Sequence, residues 1–502
     1  MAEQHRHPNI QDESLHVPFS QSNSVRLLAK AVGGLIAIFA IALLAPFVLA
    51  VVNAEKDQWH YLTLSVIGIV VGVALFLQPT RGASLRARQV FLLTTVCWLC
   101  AGIFGALPLY IAGPKLGFVD ALFESISAIT TTGSTTIVGL DKLPSSALLW
   151  RAMLQWLGGV GIIVMAMAIL PFLQVGGMRL FQAESSDISG KFLPRSNHMV
   201  MAIARVYLLL TIVAATVYWI LGMGGFDAVV HAMTSVATGG FSNYDSSFGF
   251  FNDQPALVVA ATLMMFLGAL PFVLYIRVLK GDTEPLLHDP QVRAFTIFLV
   301  IVITALALLQ AWNGRDTLDA FIHTGFNVVS VVTTTGYATE DYSQWGGWAI
   351  MAFFYLTFVG GCTGSTAGGI KIFRFQLSQL LLKKQFAQLI HPNLTRVQTY
   401  QDKRVNDTLL GSMVAFCFMY FLLVGALAFG LSFFDMDFIS AISGAATAVS
   451  NVGPGLGDVI GPAGNFVTIE PGAKILLIIG MLAGRLEIMT VLILFHRQYW
   501  RH

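Results

Sequence analysis

Four short polar stretches interrupt a chain that otherwise avoids polar side chains: TTTGSTT (130–136), ATGGFS (237–242), TTTGYAT (333–339) and SNVGPGLG (450–457). Each sets small or hydroxylated residues beside a glycine, Gly133, Gly240, Gly336 or Gly453, and each lies between strongly apolar segments. Glycine is needed where a turn takes backbone angles closed to residues with a Cβ, and a threonine hydroxyl adds an oxygen while its methyl packs behind. Irregular backbone at membrane depth survives only where protein buries it or where it lines a water-filled path. Four such turns around one axis would aim their carbonyl oxygens inward, and a ring of backbone oxygens replaces the hydration shell of a monovalent cation. One copy alone would be a loop tip at a helix end; four at corresponding positions point to ion chemistry.

The elements that must hold these turns repeat with them. FVDALFESISAITTTGSTT, FDAVVHAMTSVATGGFSNY, LDAFIHTGFNVVSVVTTTGYAT and MDFISAISGAATAVSNVGPGLG share one design. An amphipathic segment opened by aspartate leads into a turn ending at glycine, and the next apolar helix follows. The glycines recur roughly every 100 residues, which marks an internal repeat. Each amphipathic segment reads as a short re-entrant helix that starts at the outer face. Asp120, Asp227, Asp319 and Asp437 would cap its exposed N–H groups, and its partially negative C-terminus would aim at the ion.

Composition sets the surroundings. Of 502 residues, 56% are hydrophobic and 11% charged, against roughly 25% charged in soluble domains; the mean hydropathy is +0.72. That is the composition of a polytopic membrane protein. A net charge of +2 offers no nucleic-acid partner. Four cysteines exclude a disulfide scaffold, and Cys97 and Cys100 sit in the apolar helix TTVCWLCAGIFG, where free cysteine packs as a small hydrophobe.

Windows of about 20 apolar residues, the length that crosses a bilayer, lie near 28–53, 60–79, 88–112, 148–174, 198–224, 255–279, 292–312, 347–382, 408–432 and 474–496. With the N-terminus inside, this threading puts 22 of the 29 Lys and Arg residues on the cytoplasmic side and six outside, with Arg485 within a span, as the positive-inside rule asks. The organisation expected is a cytoplasmic tail over 1–27, two extra helices over 28–87, and repeats over 88–197, 198–291, 292–407 and 408–502. The tail is polar and lacks the apolar core of a cleavable signal.

Two further features fall inside spans. FVGGCTGSTAGGIK carries Gly360, Gly361, Gly364, Gly368 and Gly369, too many for a straight helix when each glycine costs about 1 kcal/mol against alanine. It is no phosphate-binding loop, because Ile370 separates Gly369 from Lys371, Ile372 follows, and no strand precedes it. A small-residue helix contact is the alternative to an intramembrane loop. Arg485, in IIGMLAGRLEIMTVLILF, is a basic residue deep in a span, where a charge costs at least about 3 kcal/mol. Glu487 points to a different helix face and is a poor partner for it, so Arg485 either pairs with another helix or projects into a water-filled path beneath the turns. Glu340, Asp341, Asp245 and Asp141 flank the turns outside; they either raise the local cation concentration or are solvated loop carboxylates.

These turns, with GGCTGSTAGGIK and GMLAGRLEI, resemble the Trk/Ktr/HKT superfamily of potassium transporters from Arg26 onward, and the two extra N-terminal spans resemble its bacterial TrkH/TrkG branch. The resemblance implies a selectivity filter made by carbonyls of Thr131, Thr132 and Gly133, Thr238, Gly239 and Gly240, Thr334, Thr335 and Gly336, and Asn451, Val452 and Gly453. It implies a gate beneath them made by Gly360, Gly361, Cys362, Thr363, Gly364, Ser365, Thr366, Ala367, Gly368 and Gly369 together with Arg485. A serine at the first glycine goes with sodium transport in this superfamily, so Gly133 favours potassium. The fourth stretch departs from the pattern, with Asn451 where the others have threonine, and a looser geometry is expected there. Also implied are a homodimer in the membrane and a cytoplasmic nucleotide-binding regulatory partner of the TrkA type.

The expected fold is therefore all-α and polytopic, with ten transmembrane helices and four helix–re-entrant loop–helix repeats around a pseudo-fourfold pore. The expected function is potassium uptake across a bacterial inner membrane, with both termini cytoplasmic, no bound cofactor, and K+ as the transported ion. The alternative is a less selective or sodium-coupled cation transporter of the Ktr/HKT type. A membrane enzyme or receptor finds no support, because H-E-x-x-H and G-x-S-x-G motifs are absent and no long soluble segment is present.

Overall fold

The computed structural model describes residues 21–80, 87–173, 192–393, 399–400, 403–405 and 407–500. Most of the expected N-terminal tail lies outside them. So do Arg6, Arg81, Arg86, Arg179, Lys191, Arg396 and Arg501 of the expected cytoplasmic charge.

Among the described residues the chain is α-helical apart from a two-residue ladder, Thr399–Tyr400 with Lys403–Arg404, and an isolated bridge between Val359 and Ile370. Helices α1 (Gln21–Ala42), α2 (Leu44–Val52) and α3 (Gln58–Phe76) precede the repeats. Gly33 and Gly72 let α1 and α3 cross closely, because a Cβ on either would collide with the other helix's backbone. The first repeat is α4 (Ala87–Ile111), α5 (Phe118–Ile129) and α6 (Ser145–Leu173). The second is α7 (Phe192–Ile220), α8 (Gly225–Val236), α9 (Pro255–Gly268) and α10 (Phe272–Val278). After α11 (Glu284–His288), the third is α12 (Pro290–Trp312), α13 (Thr317–Val332), α14 (Gly347–Leu356) and α15 (Ile372–Ile390). The fourth is α16 (Asp407–Leu431), α17 (Phe438–Ser450), α18 (Pro471–Arg485) and α19 (Ile488–Leu492).

Among the described residues, 7 helices are long and apolar enough to cross a membrane, or up to 9 when each bent pair is one span. The remaining expected span, 347–382, is α14 and α15 separated by an irregular stretch, as its glycines required. Two further expected spans are bent: α9 and α10 meet at 100°, and α18 and the segment after it at 113°. The first break falls at Leu270-Pro271, where the proline ring drives the preceding residue out of the helical region. The second falls directly after Arg485, at Glu487, whose φ is 62°.

The long helices are apolar on their outer faces as well as their inner ones. Val66, Ile67 and Val70 on α3, Leu208, Leu209 and Ile212 on α7, and Ile297, Val300 and Ile301 on α12 are all exposed. In water such a belt would drive aggregation; against lipid it is the solvent-facing surface. The short helices α5, α8, α13 and α17 lie inside instead, almost wholly buried over their second halves. The protein is a multi-pass membrane protein whose four repeats enclose these half-length helices.

Candidate functional site: a ring of four glycine turns and the loop beneath it

The four turns share one backbone conformation. The residue two before each glycine is left-handed, with φ of 52° at Thr131, 49° at Thr238, 58° at Thr334 and 57° at Asn451. The glycines follow at 87°, 75°, 84° and 113°. A β-branched residue in this region is an outlier, and such strain persists only where surrounding structure over-determines it. Asparagine tolerates the region. The fourth turn therefore carries the left-handed position on the residue type least strained by it, while its glycine, at 113°, lies outside the 75–87° of the other three.

The turns close on one another in chain order. A Cβ on Gly133 would collide with the carbonyl oxygen of Gly239, on Gly240 with that of Thr335, on Gly336 with that of Val452, and on Gly453 with that of Thr132, all closer than 3.0 Å. In each case the obstacle is the carbonyl immediately before the next glycine. Stretches about 100 residues apart thus form one ring, and only a hydrogen fits at each joint.

Side chains brace the ring from behind. Thr130 and Thr132 hydroxyls meet at 2.8 Å, and so do those of Thr333 and Thr335. Gln155 on α6 donates to the Gly239 carbonyl at 2.5 Å and accepts from the Phe241 N–H at 3.1 Å. Tyr337, fully buried, bonds Thr234 on the second repeat's short helix and packs on Phe248. Asn451 donates to the Thr132 hydroxyl at 3.0 Å and to the Met481 carbonyl at 2.9 Å, joining the fourth turn to the first.

The expected caps hold at one helix of the four. Asp437 caps α17 by accepting from the Ser440 N–H at 3.1 Å. On α13 the cap is Asp316, while Asp319 sits one turn in and pairs with Arg315 at 2.5 Å. Asp120 and Asp227 also lie inside the first turn, where the helix dipole still favours them. Asp120 binds Lys474 at 2.6 Å, and Asp227 binds Asn243 and Tyr244 at 2.7 and 2.9 Å. Of the outer carboxylates, Glu340 is held by Arg315 at 2.5 Å, and Asp245 accepts from the Gly139 and Leu140 N–H groups. Burial lowers the Arg315 pKa, but Glu340 and Asp319 raise it by more, so the net shift is upward.

Arg151 and Lys474, two of the six charges that the threading places on the outer side, are buried. Arg151 Nε meets Glu124 Oε1 at 2.8 Å. Glu124 alone could have signalled this, as an acid inside an apolar segment needs a partner.

The glycine-rich loop lies directly under the ring. Gly360 N–H donates to the Ile370 carbonyl and Ile370 N–H to that of Phe358, so the loop's two ends are joined at its base. From there Cys362 N–H donates to the Ala269 carbonyl at 3.0 Å, Thr363 N–H to Gln291 Oε1 at 3.0 Å, and Phe272 N–H to the Gly364 carbonyl at 3.1 Å. Ser365 closes back on the Cys362 carbonyl at 2.7 Å. The Thr366 hydroxyl donates to the carbonyls of Gly268 and Val236 and accepts from the Thr238 hydroxyl. Ala367 is buried, Gly368 N–H donates to the Thr334 hydroxyl at 2.6 Å, and Gly369 N–H to the Ser450 carbonyl at 2.8 Å. The loop is thus tied to the second, third and fourth repeats at the inner ends of their short helices. Among the described residues, the Thr131 hydroxyl of the first turn has no partner.

A cavity of about 90 Å³ lies beside the loop, lined by Gly364, Gly368, Lys371, Arg374, Arg485 and Glu487 among others. Arg485 is 4% exposed, and none of its three guanidinium nitrogens has a partner among the described residues. Glu487 instead pairs with Arg374 at 2.6 Å, whose guanidinium lies 3.6 Å over Phe416. Among the described residues Arg485 pairs with no other helix, which was one of its two alternatives.

A multi-pass chain whose four repeats converge on one ring of glycine turns, with a glycine-rich loop bonded to it and a buried arginine beside that loop, has the build of an ion-transport protein. The family model for TrkH, described as a cation transport protein, matches residues 61–501. The Trk system potassium uptake protein TrkI of Halomonas elongata is 49% identical over 94% of this chain and 96% of its own. TrkH of Vibrio parahaemolyticus is 36% identical over 95% of this chain and 99% of its own. The crystal structure of the potassium transporter TrkH from Vibrio parahaemolyticus superposes with a TM-score of 0.88 at 34% identity, covering 96% of this chain and all of that one. The chain belongs to the TrkH family of cation transport proteins.

Proposed function

We propose that the protein takes up potassium across a bacterial inner membrane through the ring of four turns, with carbonyls of Thr131–Gly133, Thr238–Gly240, Thr334–Gly336 and Asn451–Gly453 replacing the ion's water. The single observation that carries this is the cyclic packing of Gly133, Gly240, Gly336 and Gly453 on the preceding turn carbonyls of the next repeat. It brings four copies of one left-handed backbone turn around a common axis, and carbonyl rings coordinate dehydrated monovalent cations. The names of the relatives, potassium uptake proteins in each case, support the choice of ion.

Beneath the filter, the loop from Gly360 to Gly369 and Arg485 act as the gate. The loop's hydrogen bonds to three repeats keep it across the inner end of the ring, and Arg485 sets an uncompensated positive charge in the path of a cation. Opening then requires the loop to leave Thr238, Thr334 and Ser450. A homodimer and a TrkA-like cytoplasmic nucleotide-binding partner complete the reading, the partner supplying the force that moves the loop.

Purified protein in proteoliposomes loaded against a potassium gradient tests the proposal. Potassium uptake is expected, with little competition from sodium, and G133S is expected to admit sodium. Unchanged preference in G133S would sink the filter assignment.

A further inference from the structure

Glu124, His231, Asn327 and Gly444 stand at one and the same offset before the glycines Gly133, Gly240, Gly336 and Gly453. All four are buried on the short helices behind the turns. Three of them reach forward to the chain leaving the turn. Glu124 accepts from the Thr136 N–H at 2.9 Å and from the Thr135 hydroxyl at 3.0 Å. His231 Nε2 lies 3.1 Å from the Ser242 hydroxyl. Asn327 donates to the Thr339 hydroxyl at 2.9 Å and accepts from the Thr339 N–H at 3.2 Å. Gly444 has no side chain, and Ile460 occupies the space in front of it.

The same site is thus a carboxylate, an imidazole, an amide and nothing in successive repeats. Hydrogen bonds to an ionised group are roughly twice as strong as neutral ones, so the first quarter is clamped hardest and the fourth least. Arg151 extends that clamp. Its Nε bonds Glu124 at 2.8 Å, its Nη2 approaches the Thr135 hydroxyl at 3.3 Å, and its Nη1 donates to the Ser242 carbonyl at 3.2 Å. Its guanidinium lies 4.0 Å over the Phe241 ring. One planar fork therefore fastens the outgoing segments of the first two turns together. At 0% and 1% exposure, the pair is a poor stability device, because desolvation offsets its attraction; in some proteins such buried pairs serve geometric specificity instead.

We propose that Glu124 and Arg151 are positioning residues that set the ion preference of the ring. This rests on the reading of the four turns as a potassium filter. Neither residue touches the ion. They act through Thr136 and Ser242 on the backbone that does, holding two quarters of the ring against the contraction that would suit the smaller sodium ion.

The test uses full-length protein in proteoliposomes, with potassium uptake measured against increasing sodium for the unaltered protein, E124Q, R151K and G133S. Glutamine keeps the shape but cannot accept at both oxygens, and lysine keeps the charge but lacks the fork that spans Glu124 and Ser242. E124Q and R151K are each expected to lower the potassium over sodium preference about fivefold or more, the lower end of the range usual for energetic coupling between sites. A fall in uptake of both ions in proportion, with the preference unchanged, would mean a merely structural pair and overturn the proposal. If G133S alone changes the preference, the pair is excluded while the filter stands; if G133S changes nothing either, the filter assignment falls and takes the pair with it. For any variant recovered only partly folded, the thermal stabilisation of its monodisperse fraction by potassium relative to sodium reads the same preference. Loss of the potassium advantage is expected, and its retention refutes the proposal.

Discussion

The backbone N–H of Gly368 donates to the hydroxyl of Thr334 at 2.6 Å, tying the intramembrane loop directly to the third turn of the ring. The loop and the ring are therefore mechanically coupled, and a displacement of one must break bonds to the other. Thr366 makes the same kind of connection to the second repeat through Thr238, Gly268 and Val236.

Loosening the loop should raise flux. T366V keeps the side-chain shape and removes its hydroxyl; the Gly268 carbonyl retains the Thr366 N–H, but the Val236 carbonyl is left short of a donor at a cost of about 1–3 kcal/mol. Since the penalty falls on the closed arrangement, potassium uptake without any cytoplasmic partner is expected to rise about tenfold, as 1.4 kcal/mol is one decade. Flux assays on reconstituted, monodisperse protein would read this, and lower flux would contradict a barrier role for the loop.

Arg485 should act in the same direction by a different route. Its charge has no partner among the described residues, so removing it leaves no carboxylate stranded. R485A is expected to speed uptake, because a unit charge at roughly 4 Å opposes a cation by about 4 kcal/mol at an effective dielectric near 20. Tracer uptake at matched protein density, with slower uptake by folded protein as the disqualifying outcome, is the measurement.

At Asn451 the left-handed backbone separates two substitutions that remove the same hydrogen bonds to Thr132 and Met481. N451G keeps the backbone conformation accessible, whereas N451V forces a β-branched residue into it without the asparagine's bonds. N451V should be less stable than N451G by about 1–3 kcal/mol and should discriminate less between potassium and sodium. Thermal unfolding in detergent and competition uptake check the two halves. Equal behaviour of both variants would show that the hydrogen bonds alone matter.

Gly158 lets α6 run directly over the last carbonyls of α5, and a Cβ there would collide with the Ile129 carbonyl. Backbone cannot swing aside as a side-chain tip would. G158A is expected to destabilise the protein by about 1–3 kcal/mol, the usual penalty for overpacking, visible as a lower apparent melting temperature in detergent.

The turns, the half-length helices and the broken span were legible in the amino-acid sequence because each is a local matter. A run of threonines before glycine, or five glycines in an apolar stretch, restricts its own backbone wherever it is placed. The bend at Leu270-Pro271 was written as locally but went unread, the apolar window running through it. The burial of Arg151 and Lys474 was not legible for the opposite reason. A count of charges along a chain treats each as solvated, and their burial follows from Glu124 and Asp120, which reach them only once the helices have packed.

By itself, then, the sequence determined which segments are apolar spans, where the four turns fall, and that Arg485 sits where a charge needs a reason. Those properties depend on hydropathy, helix period and the backbone freedom of individual residues. Tertiary structure alone decided that the turns close in chain order, each glycine against the next carbonyl, that the loop is tied to three repeats and not to the Thr131 hydroxyl, and that one arginine clamps two turns. These are contacts between residues far apart along the chain, and they are set by how helices pack, which no local pattern encodes.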